Sequence, residues 1–179
     1  MFDDWREYYF LIGSSAGGLI GLMFVVTTLT IGRDIRTIER GQKLYMSPVV
    51  SHFAAILLLS GAAIVPNLAV AAFAVLIGVI AIIGIAAGIR ITVGILNASD
   101  RLTAGWFDIW WYGVAPTVLY LLLAGVSVAL GFGAADAQMA LAAVLMALLL
   151  TSIHNAWDLV TWLAPRSARS GPVEDDGDR

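Results

Sequence analysis

The chain contains no cysteine. That excludes a disulfide framework, a thiol nucleophile and a thiolate metal site. Charge is also scarce. Charged residues make up 13% of the 179 residues, against roughly 25% in a soluble domain. Catalytic motifs are missing too: there is no CxxC and no HExxH, and the one string of GxSxG form, residues 13–17, lies inside an apolar run and so is no strand–helix nucleophile elbow. The glycine-rich runs lie inside apolar stretches, so none reads as a phosphate loop at a strand–helix junction. The positive n-region of a signal peptide is absent as well. Asp3 and Asp4 precede the first apolar run, and that run outlasts a typical h-region. It is expected to be a retained first span.

What remains is apolar surface. Hydrophobic residues make up 60% of the chain and the mean hydropathy is +0.88. Five runs are each long enough to cross a bilayer, at roughly residues 9–31, 47–65, 68–96, 111–133 and 138–163. Unbroken runs of this kind are unlike the short alternating segments of a membrane barrel. The expected fold is therefore an all-α, polytopic integral membrane protein with five transmembrane helices. Residues 1–165 would form the membrane domain. Residues 166–179, ending in Glu174-Asp175-Asp176-Gly177-Asp178, would form a disordered acidic tail.

Charge placement sets the orientation. Of the ten basic residues, Arg33, Arg36, Arg40, Lys43, Arg90, Arg101, Arg166, Arg169 and Arg179 would share one side. Only Arg6 falls on the other. The positive-inside rule then gives the N-terminus outside and the C-terminus inside, in the cell inner membrane. The two outer connections are short, Pro66-Asn67 and residues 133–137. Aromatic clusters at Trp5, Tyr8, Tyr9 and Phe10, at Trp106 to Tyr112, and at Trp157 and Trp162 are expected at the headgroup level. Residues 105–111 read as a short helix lying on the inner leaflet.

Small residues recur at four-residue spacing. Gly13, Gly17 and Gly21 form one stripe, Gly84, Gly88 and Thr92 a second, and Gly125, Ala129 and Gly133 a third. Such stripes let helices approach closely. They serve either internal packing or an interface between copies.

One polar set stands out, and all of it maps to the inner half or its edge: His52, Arg90, Asn97, Asp100, His154, Asn155 and Asp158. Polar groups in lipid are costly and need partners. His154 and Asp158 lie one helical turn apart and share a face. Arg90–Asp158 is the expected interhelical pair. His52 is expected to join the same network.

No cofactor is expected. Two alternative readings use the histidines. His52 and His154 have the residue types for paired axial ligation of haem, and His52, His154 and Asp158 those for a metal. The expected partners are membrane lipids, with anionic lipid at the basic loop of residues 32–43, and a membrane-protein partner or a second copy. Nucleic acid is not expected. The favoured function is a non-catalytic membrane subunit or scaffold. The main rival is a small transporter or oligomeric channel with an inner-facing polar vestibule.

Overall fold

A computed structural model describes residues 3–30, 47–97 and 106–168. Asp3–Trp5 forms a single 3-10 turn that leads into α1 (Arg6–Thr30). Then come α2 (Ser47–Ala63) and α3 (Val70–Asn97). A helical turn (Trp106–Asp108) and a π-helical segment (Ile109–Val114) run without a break into α4 (Ala115–Gly131). The last helix is α5 (Ala137–Ala168). Among the described residues there is no strand. The basic loop of residues 32–43, Asp100 and the acidic residues of the tail lie outside the described residues. α5 itself continues to Ala168, past the expected domain boundary at residue 165.

Among the described residues, four helices are long and apolar enough to cross a membrane: Arg6–Thr28, Val70–Gly94, Ile109–Gly131 and Ala137–Thr161. The second expected span is shorter. α2 has 17 residues, about 26 Å at 1.5 Å per residue, against a hydrocarbon core of about 30 Å. The aromatic stretch before α4 also differs from expectation. It is not a separate surface helix but the first turns of the α4 rod.

The turns follow from local chemistry. α2 stops because Pro66 has no N–H to continue the ladder, and Asn67 then turns the chain at φ 57°. α4 ends in a Schellman motif. Gly133, at φ 73°, donates to the Leu130 carbonyl at 3.1 Å, and Ala134 donates to Ala129 at 3.0 Å. Asp136 then precedes α5, with its carbonyl accepting the Ala140 N–H at 3.0 Å.

The helices pack as two close pairs, α1 on α2 and α3 on α4, with α5 touching α1, α2 and α4. Buried side chains include Tyr9, Ile12, Phe53, Ile56, Ile77, Leu123, Leu141 and Leu148. The outward faces are just as apolar. Phe24 is 72% exposed and Ile82 67% exposed. A helix that is apolar all round belongs in lipid or deep in a core, and here the outer face is exposed.

Close approach along α3–α4 depends on glycine. A Cβ at Gly84 would run into the Tyr120 ring, one at Gly88 into Thr117 Oγ1, and one at Gly113 into Thr92 Oγ1. At Gly78 it would come within 2.9 Å of Ser127 Oγ, which itself donates to the Ala74 carbonyl at 2.7 Å. On α1, a Cβ at Gly13 would lie 3.0 Å from Ser60 Cβ, and one at Gly17 would lie 3.9 Å from Leu57 Cδ1. Gly21 and Gly125 are exposed and meet nothing within 4 Å. At the end carrying Arg6, Tyr8 Oη donates to the Ala142 carbonyl at 2.7 Å, and Tyr9 Oη to the Gln138 carbonyl at 3.3 Å.

Candidate functional site

One polar centre forms beside a proline. Pro116 sits in the first turn of α4, just after the π-helical segment. A π register directs the N–H of residue i+5 to the carbonyl of residue i. For the Trp111 carbonyl that residue is Pro116, which has no N–H. A side chain from α5 fills the gap: Asn155 Nδ2 donates to the Trp111 carbonyl at 2.9 Å. Asn155 is buried, at 1% exposure. Its Oδ1 has no hydrogen-bond partner among the described residues.

Tyr112 completes this centre. Its hydroxyl lies 3.0 Å from both the Asn155 carbonyl and Asp158 Oδ2. The Tyr112 side chain is buried while Asp158 is exposed. The hydroxyl therefore ties a carboxylate at the bundle surface to the interior. His154 is exposed on the same helix, and its ring packs on Trp111 with centroids 4.1 Å apart.

A second centre lies about 12 Å further along α4 by helical rise, eight residues on from Tyr112. Tyr120 Oη and His52 Nδ1 are 2.9 Å apart, and both residues are buried. The tautomer of His52 decides which of them donates. α2 and α4 make little backbone contact with each other, so this bond spans the middle of the bundle.

The expected single network is thus divided. His52 sits in the interior against Tyr120. Asn155 and Asp158 belong to the Tyr112 centre. His154 lies exposed at the surface beside that centre. Arg90 is exposed and joins neither group. Among the described residues no ion pair links it to Asp158, whose partner is a tyrosine hydroxyl instead. The Asn97 side chain and all of Asp100 lie outside the described residues. The two histidines have different surroundings, one inside the bundle and one on its surface. Among the described residues no group of three or more His, Asp, Glu or Cys has the arrangement to hold a metal.

Sequence reasoning missed Tyr112, Tyr120 and the Trp111 carbonyl. Two signals were available. A tyrosine in mid-span brings a hydroxyl that must find a partner. A proline inside an apolar run frees a carbonyl that must be satisfied within the protein. Both centres can bind helices together, and the Tyr112 centre presents a carboxylate at one end of the bundle. No family model, curated protein or solved structure matches the chain.

Proposed function

We propose that this chain is a non-catalytic membrane subunit or scaffold. It would be inserted through all five helices, with its N-terminus outside the cell inner membrane and its C-terminus inside. α2 would cross as a short span, its mismatch of a few Å taken up by local thinning of the bilayer. The carrying observation is how the buried polar side chains are used. His52 and Tyr120 take each other. Tyr112 and Asn155 spend their donors on α5 and α4 respectively. Groups that bind neighbouring helices serve a rigid bundle, and a rigid bundle suits a protein that associates through its outer faces.

One observation favours a second reading, a small transporter with an inner-facing vestibule. The unpartnered Asn155 Oδ1 lies on the helix that carries the exposed Asp158, one turn away. A single purification separates the two. A stable complex with a second membrane protein, or with a second copy, supports the scaffold. A partner-free protein with ion flux in liposomes, lost in Asp158→Asn, replaces it with the transporter. Orientation is tested by Asn67→Cys and Ser170→Cys. An impermeant thiol reagent is expected to label only the first in intact cells, and labelling of the second would reverse the topology.

A further inference from the structure

A cavity of about 280 Å³ opens where the start of α1 meets the α2–α3 turn. Its walls are Arg6, residues 62–68, Val70 and Phe73. Sites for drug-sized ligands run from roughly 300 to 1,000 Å³, so this one suits a smaller group. If the helices span a bilayer, the cavity lies at headgroup depth. The inference therefore rests on the membrane reading given above.

The wall has two kinds of unmet chemistry. Arg6 is exposed, and its guanidinium has no hydrogen bond or ion pair among the described residues. Beside it are bare acceptors. The Gly61 and Ala62 carbonyls take the N–H groups of Ile64 and Val65, at 3.3 and 3.2 Å. Pro66 then has no N–H to give. The Val65 carbonyl is turned back toward the Leu68 N–H across the Pro66-Asn67 turn, but no turn or loop N–H among the described residues reaches the carbonyls of Ala63 or Ile64. The helix dipole attracts a cation to the end of α2, which accounts for Arg6 but leaves those carbonyls without donors.

A ligand that answers both needs carries an anion for Arg6 and an N–H cation for the carbonyls, a short linker apart. We infer that the cavity binds the phosphoethanolamine headgroup of a phospholipid. The phosphate would take the guanidinium fork. The primary ammonium, with three donors, would face the free carbonyls of the turn. Val70 and Phe73 would line the path of the glycerol and the first chain carbons. A choline headgroup lacks N–H donors, and a glycerol headgroup lacks the cation.

The test uses the full chain in detergent, mixed with equal amounts of ethanolamine, choline and glycerol phospholipids of matched chains. Native mass spectrometry reads the lipids retained. The expected result is one retained ethanolamine lipid, preferred roughly tenfold, as a charge-assisted bond would give. Arg6→Gln should cut that retention by about tenfold, and Arg6→Lys should keep most of it. Equal retention of the three lipids, or retention unchanged in Arg6→Gln, overturns the inference. Soluble phosphoethanolamine held as tightly as the lipid overturns the lipid assignment in favour of a free phosphoamine. Alkaline carbonate extraction separates the two levels of failure. A chain that leaves the membrane loses both readings, while one that stays but shows no ethanolamine preference loses only this one.

Discussion

The amide of Asn155 does for the Trp111 carbonyl what the nitrogen of Pro116 cannot. The donor comes from α5 and the acceptor belongs to α4, so a defect internal to one helix is repaired by its neighbour. Removing either partner of that repair should have unequal effects.

Asn155→Leu keeps the volume and removes the donor. It leaves the Trp111 carbonyl unpaired, at a cost of about 1–3 kcal/mol, read as a lowered melting midpoint in detergent. Pro116→Ala restores an N–H to α4. In that background Asn155→Leu should cost less, with a coupling of at least about 0.5 kcal/mol. Equal costs in the two backgrounds would mean that the proline is not what the amide answers.

The His52–Tyr120 bond predicts a second cycle. Tyr120→Phe strands His52 Nδ1, and His52→Leu strands the tyrosine hydroxyl, each costing roughly 1–3 kcal/mol. The double substitution should cost clearly less than the sum. Strict additivity would show that the pair contributes packing alone.

Glycines on the same bundle should differ in tolerance. Gly88→Ala drives a methyl into Thr117 Oγ1 and should cost about 1–3 kcal/mol through overpacking. Thr117→Ala should recover much of that loss. Gly125→Ala and Gly21→Ala meet open space and should be neutral or slightly stabilising by helix propensity. Thermal scanning of the purified variants ranks them. Equal sensitivity at Gly125 and Gly88 would point to a protein neighbour on the outer face of α4.

Asp158→Asn preserves an oxygen for the Tyr112 hydroxyl, whereas Asp158→Leu does not. The first should stay within about 1 kcal/mol of the parent, and the second should lose roughly 1–3 kcal/mol. Tyr112→Phe in the Asp158→Leu background should cost a further roughly 0.5–1.5 kcal/mol, because the hydroxyl keeps the Asn155 carbonyl there. A large loss in Asp158→Asn would show that the negative charge, not the hydrogen bond, is what the bundle needs.

The helices were legible because lipid leaves the backbone few options, and long apolar runs such as residues 70–94 satisfy their own hydrogen bonds. The weight of Gly84 and Gly88 was legible for a similar reason: spacing alone puts them on one face. The partners of the polar groups were not. Arg90 and Asp158 look complementary in sequence, yet rotation about each helix axis decides what a side chain meets, and no charge pattern fixes that rotation in an apolar surround. It is set here by features such as the Tyr120 ring lying on Gly84. Asn155 was visible as a polar residue, but its acceptor is a main-chain oxygen that no side-chain inventory names. The short reach of α2 was hidden as well. Val65 continues the apolar run, while Pro66 ends the helix before it.

Tyr8 and Tyr9 on α1 find their carbonyls at Ala142 and Gln138 on α5. The chain makes α1 long before α5 exists. Gln138 follows Tyr9 by 129 positions, so the delay is roughly 6 to 26 s at ordinary rates of synthesis. Through that interval the two hydroxyls must stay in contact with water or lipid headgroups, which holds this end of α1 at the membrane surface. α5 is thus the clasp that fastens α1, and a nascent chain arrested in the connection before α5 would leave α1 free to drift sideways in the bilayer.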